Sequence, residues 1–131
     1  MGKKLRVLLA DDEPHIRLLI RSIVEIMNAE VVGEAMDGQE AVDLYSSLKP
    51  DMVLLDINMP VKSGQEALKM IMTGHSDAIV IMLTSVSDKN TVKQCIELGA
   101  ANYIRKDTGI SEIKKIIKET WELQKKRLRR K

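Results

Sequence analysis

Five polar residues could carry the chemistry of this chain: Asp11, Asp12, Asp56, Thr84 and Lys106. Each stands at or just past the end of a short apolar run, at 5–10, 52–55, 78–83 and 101–105 respectively, with the acidic pair sharing the first. Taken singly, each has an ordinary explanation. Asp56 starts a turn, Asp12 caps a helix, Thr84 is a turn residue and Lys106 is a surface charge. Brought to one place, they describe something else. Three carboxylates cannot all stay ionised together without a cation, and a hard divalent ion with oxygen ligands meets that need. Mg²⁺ suits a site with few carboxylates that keeps room for water and a phosphate oxygen. Calcium would want a richer cage of protein oxygens, and zinc would want His or Cys. His15 and His75 sit in no ligand-like spacing and read as structural or solvated. An ammonium at Lys106 facing Asp56 would pair with it, and with a phosphoryl group attached to it; the Thr84 hydroxyl could donate to the same oxygens. The sum is a carboxylate nucleophile that accepts a phosphoryl group.

Bringing these residues together requires the apolar runs to be neighbouring strands. The run 52–55 is uninterrupted and rich in branched side chains, as expected of a strand buried on both faces. The run 78–83 reads the same way, whereas 30–35 and 101–105 are weaker and belong at the edges. Helical spacing follows each strand. Pro14 suits a first helical turn, and the acids before it would cap the free amides. Ile16, Leu19, Ile20, Ile23, Val24 and Met27 then form one face. Asp37 and Glu40 read as a capping box for a second helix with Ala41, Leu44, Tyr45 and Leu48 inward. Ser63-Gly64 opens a third, with Ala67, Leu68, Ile71 and Met72 inward. Asp88 is placed to cap a fourth, with Val92, Cys95 and Ile96 inward, and Ser111 a fifth, with Ile113, Ile116, Ile117 and Trp121 inward. Strand then helix, five times, implies an α/β fold: a parallel sheet covered by helices on both faces. Right-handed crossovers leave few topologies, and the order 2-1-3-4-5 puts the two weak strands at the edges. In such a sheet, ligands bind beyond the carboxyl ends of the strands where the order reverses, between the first and third.

Composition sets the limits. The 131 residues are one domain's worth of chain, 44% hydrophobic and 31% charged. There is no Phe, one Trp and two Tyr, so the core must be aliphatic, with eight Met as adaptable filler. A single Cys cannot form an internal disulfide, which favours a reducing cytoplasm. No apolar run approaches the length of a membrane span. The formal net charge of +2 misleads, because residues 125–131 hold six of the 21 basic groups and no acidic one. Without them the chain is acidic. The expected organisation is therefore one domain over 1–124 and a basic tail, 125–131, continuing the last helix, where cations complement the helix dipole.

With these residues placed, the chain resembles the receiver domains of two-component response regulators over nearly all of 4–124. The likeness rests on Asp11-Asp12 after the first strand, Asp56 followed by Met59-Pro60 and Gly64, Thr84 followed by a small residue, and Lys106 after the fifth strand. The 2-1-3-4-5 order is also that family's own, so it is not an independent deduction. By resemblance, Asp56 is the phosphoacceptor and Asp12 a direct Mg²⁺ ligand, with Asp11 acting largely through water and the Asn58 backbone carbonyl completing the protein's share of the metal shell. Thr84 and Lys106 would hold the phosphoryl group, and Tyr103 occupies the aromatic switch position. The resemblance further implies a sensor histidine kinase or phosphotransfer protein as phosphodonor. It also implies a downstream target on the face of the fourth helix, fifth strand and fifth helix, with no turnover of a separate substrate. Homodimerisation stays open; membrane and nucleic-acid partners are not expected of this chain alone.

One departure stands out. The family commonly has Pro after the lysine, in a cis peptide, where this chain has Asp107; without Pro a cis bond costs about 3 kcal/mol. Lys106-Asp107-Thr108 resembles receivers joined to DNA-binding domains, so a receiver fragment of a transcriptional regulator is the main alternative. An Asp-nucleophile phosphatase would want a second Asp where Asn58 stands. A flavodoxin-like carrier would find Asp11-Asp12 repelling its phosphate and few aromatics to stack on a flavin.

Overall fold

The computed structural model describes residues 4–85 and 88–129. Arg130 and Lys131 lie outside them, so only part of the basic tail can be placed. Strands and helices alternate: β1 (Arg6–Ala10), α1 (Pro14–Ile26), β2 (Glu30–Ala35), α2 (Gly38–Leu48), β3 (Met52–Asp56), α3 (Gly64–Gly74), β4 (Val80–Thr84), α4 (Lys89–Glu97), β5 (Asn102–Arg105) and α5 (Ile110–Arg129). All neighbouring strands are parallel and the order is β2-β1-β3-β4-β5.

The period of two along each strand divides the core. Leu8, Ala10, Val53, Leu55, Val80 and Met82 face one side, packed under α2, α3 and α4. Val7, Leu9, Met52, Leu54, Ile81 and Leu83 face the other, under α1 and α5. Strands β3 and β4 are buried throughout, as their unbroken apolar runs require, while β2 is half-exposed at its edge. Two side chains expected inward point out. Leu19 lies at the margin of the α1 face and Ile96 is carried away from the sheet because α4 buries only Cys95.

The helix starts follow local hydrogen bonding, with departures from expectation. Ser63 and Glu66 form a complete capping box at α3. At α2, Asp37 accepts from the Glu40 N–H, but the Glu40 carboxylate reaches the Met36 N–H instead of closing on Asp37. Asp88 occupies the cap position of α4, yet its side chain turns back to the Ser85 N–H and hydroxyl. Ser111 is inside α5, which begins at Ile110, because the Gly109 carbonyl already accepts from the Ile113 N–H. Lys106–Asp107 is a trans peptide, so the loop takes the ordinary path rather than the family's cis one.

Gly64 decides how closely α3 approaches the sheet. Its N–H donates to the Ile57 carbonyl at 2.7 Å, and a Cβ on it would fall 1.9 Å from the Asp56 carbonyl oxygen. No side chain fits there without moving the end of β3. Gly74, at the other end of the same helix, has nothing within 4 Å of its would-be Cβ. Gly64→Ala should therefore destabilise the fold by about 1–3 kcal/mol through overpacking. Gly74→Ala should be neutral or slightly stabilising. Urea unfolding of the two variants checks the contrast, and equal effects would contradict it.

Candidate functional site

Register alone puts the acids together. Ala10 of β1 pairs with Leu55 of β3, so the next residues, Asp11 and Asp56, leave the sheet side by side. On the other side of β3, Asp56 pairs with Leu83, and Thr84 with Arg105, so Thr84 emerges one strand further along and Lys106 two. Asp11 is fully buried, Asp56 is 3% exposed and Thr84 1% exposed. Carboxylate oxygens of Asp11, Asp12, Glu13 and Asp56 all lie within 4.8 Å of one another.

The Lys106 ammonium is inserted among them. It sits 3.0 Å from Asp11 Oδ2, 3.1 Å from Asp56 Oδ1 and 2.8 Å from Glu13 Oε1. Only the Glu13 contact has hydrogen-bond geometry. Asp11 Oδ2 is a buried oxygen with an ion pair but no hydrogen-bond donor. Asp11 Oδ1 accepts from the Glu13 N–H at 2.9 Å, which ties the acidic loop to the start of α1. The sequence assigned Lys106 to Asp56 alone; in the fold it serves as counterion to three carboxylates at once.

Charge and burial work against each other here. Asp56 is pushed up to about 7, by burial first and by the negative charge of Asp11 second. The Lys106 ammonium and the Asn58 N–H pull in the opposite direction and only partly offset this. Burial works to lower the pKa of Lys106, but Glu13, Asp11 and Asp56 outweigh it and raise it above the usual lysine value. Glu13 is lowered by its hydrogen bond to Lys106.

The remaining residues singled out from sequence are spread around this centre. The Asn58 N–H reaches Asp56 Oδ1 at 3.4 Å, and its side-chain amide approaches Asp88 Oδ1 at 3.5 Å. The Thr84 hydroxyl donates to the Ile104 carbonyl at 3.5 Å, within the sheet edge. Tyr103 is 45% exposed and away from the carboxylates. It and Thr84 line the same cavity of about 380 Å³ between α4 and β5, together with Val92 and Arg105. His15 and His75 are outside the acidic group. His15 is 3.6 Å from Glu13 at the surface, and His75 rests against the Tyr45 ring.

Comparison with known proteins agrees with this geometry. The family described as response regulator receiver domain matches residues 7–118. This chain belongs to that family. The receiver domain is 48% identical over 101 residues to protein CcdB of Bacillus subtilis, covering 77% of this chain and 84% of the relative. It is 40% identical over 106 residues to the chemotaxis protein CheY of Thermotoga maritima, covering 81% and 87%. Among solved structures it resembles the CheX–CheY–BeF₃–Mg²⁺ complex of Borrelia burgdorferi, at 28% identity and TM-score 0.85, covering 89% of each chain.

Three features of this receiver domain escaped the sequence reading. The acids before Pro14 are expected to cap α1, but Glu13, at the cap position, makes no side-chain cap hydrogen bond and accepts from Lys106 instead. Arg17, one turn into α1, donates from Nη1 to the Asp11 carbonyl at 2.8 Å while its Nε lies 3.2 Å from Glu34 Oε1. That contact holds the main chain of the acidic loop from behind. On the opposite side of the site, Val61 adopts φ 67° within a tight turn in which the Lys62 N–H donates to the Pro60 carbonyl. A β-branched residue is strained there, and the strain lies in the loop that leaves Asp56.

The donor set suits a hard divalent ion: carboxylate oxygens only, no His or Cys, and a buried Asp11 oxygen without a donor. The pH response follows from Asp56. In the fold it keeps its proton up to about pH 7, against 3.8 as the reference value, so the folded chain binds the additional proton in between. The contribution of this group to stability therefore declines as pH rises from about 4 to 7. In a divalent-free buffer, Asp56→Asn should remove that decline and be more stable than the wild type above pH 7. Thermal unfolding across the pH range measures this; parallel curves for the two proteins would refute the assignment.

Proposed function

We propose that this receiver domain takes a phosphoryl group from a phosphohistidine onto Asp56 and relays the event as a change in its protein-binding surface. The observation that carries the reading is the buried Asp56 carboxylate lying against Asp11 and the Lys106 ammonium, at the sheet edge of a receiver fold. Asp11, Asp12, Asp56 and the Asn58 carbonyl would hold Mg²⁺, which would neutralise charge between the acceptor carboxylate and phosphoryl oxygens. The Borrelia complex contains a CheY together with Mg²⁺ and BeF₃, which supports this choice of ion.

In the reaction an ionised Asp56 oxygen forms the new O–P bond as the N–P bond to the donor imidazole breaks. Lys106 is already 3.1 Å from Asp56 and can follow the phosphoryl oxygens with its charge. Their negative charge would draw the Thr84 hydroxyl away from the Ile104 carbonyl. Thr84 and Tyr103 border the same cavity, so moving one makes room for the other to turn inward. The face of α4, β5 and α5 would then repack for a downstream target. Such a change is a shift between two populations, driven by the difference in phosphoryl contacts. The chain works as a signalling element, modified and restored at one residue, and not as an enzyme on a separate substrate. A receiver joined to a DNA-binding domain would use the same site chemistry.

Incubation with acetyl phosphate and Mg²⁺ should add one phosphoryl mass to the intact chain. Chelation of the metal or Asp56→Asn should abolish the addition. Labelling that persists in Asp56→Asn would overturn the assignment.

A further inference from the structure

At the opposite end of the sheet from the acids, α5 and the turn between α1 and β2 enclose a groove of about 970 Å³. Leu5, Met27, Ala29, Trp121 and Leu123 give it an apolar lining. Leu5, Met27 and Trp121 are only partly buried against the core, and Leu123 is 66% exposed. Its borders are basic: Lys114, Lys115, Lys118 and Lys126 all line it, the last three exposed. Glu119 and Glu122 also line it, but Glu122 lies 3.5 Å from Lys125, whose ammonium stands 5.7 Å from the centre of the Trp121 ring. Beyond the groove, α5 continues into Arg127 and Arg129. Trp121, Leu123 and Lys126 lie past residue 118, outside the part of the chain that matches the receiver family.

We infer that this groove docks an acidic amphipathic helix of a partner protein. An apolar helix face would cover Trp121, Met27 and Leu123, while flanking carboxylates would meet the lysines. Charge complementarity selects this occupant over two others. A symmetric pairing of two copies would bring the same lysine-rich surface against itself. A bilayer surface is engaged by a protruding apolar face, whereas this site is recessed between two elements. The groove is independent of the phosphorylation chemistry at the other end of the strands.

Trp121 is the chain's single tryptophan, so its emission reports the groove directly. The probe is a designed amphipathic helix with a Leu face and a Glu-rich polar face, and the control carries Lys in place of Glu. The Leu/Glu helix should shift Trp121 emission to the blue in a saturable way. Lys118→Glu combined with Lys126→Glu should weaken its binding about tenfold or more. Both positions are exposed, so circular dichroism should show an intact fold, and Asp56 phosphorylation should be unchanged. No response to the Leu/Glu helix, or an equal response to the Leu/Lys helix, would overturn the inference. So would emission changes that follow protein concentration alone, which would mean a second copy, or that appear only with anionic phospholipid vesicles.

Discussion

The packing of several negative oxygens around one ammonium, at a point where burial gives them little water, governs this molecule. Asp11 and Asp56 must be adjacent because parallel pairing of β1 and β3 leaves them no other place. Like charges so placed repel, and the low local dielectric makes the repulsion strong. Lys106 relieves it, yet leaves Asp11 Oδ2 with charge compensation and no hydrogen bond. The result is a site incompletely satisfied by its own residues, with oxygen donors of the kind that suit a hard cation.

The surrounding fold can be understood as what makes such a site tolerable. Aliphatic cores on both faces of the sheet fix the strand ends, so the carboxylates cannot separate to relax. Gly64 lets α3 start directly against the Asp56 main chain, and Arg17 grips the Asp11 carbonyl from α1. Glu34 takes ion pairs from both Arg17 and Arg21, which extends that grip to the edge strand β2. Strain at Val61 is located in the same loop that carries Asn58, so the cost of holding this geometry is local and adjacent to the site.

What could be read from the sequence was whatever long-range register determines. Unbroken apolar runs at β3 and β4 gave their burial, and strand ends gave the meeting of Asp11, Asp56, Thr84 and Lys106 at one edge. What could not be read was decided by side-chain direction within a turn or two. The pattern offers Glu13 a local role as the cap before Pro14, which it does not take, and nothing in that pattern demands that it reach Lys106, 93 positions away. Asp88 and Ser111 have cap-forming side chains, but one turned to Ser85 and the other fell inside a helix started by Gly109 and Ile110. Lys106 shows the same limit from the other side. Its location was implied by β5, but its three-way sharing depends on an ammonium's reach.

These two scales of determination also separate the two ends of the molecule. The acidic end is over-determined: register, burial and tight backbone contacts all converge on the same few atoms, and little of it could change without the strand ends moving. The basic side chains of the other end all belong to α5, a helix of 20 residues, about 30 Å long, which extends past the part of the chain matched by the family. Residues there are bound by fewer packing demands, since Trp121 and Leu128 only partly enter the core and Leu123 stays outside it. The acidic site at one edge is thus held by many constraints, and the surface at the other by few. The base of α5 is held by the core, through Ile113 and Ile117 on the same face as Leu83 and Ile104, while its far end is held only in part.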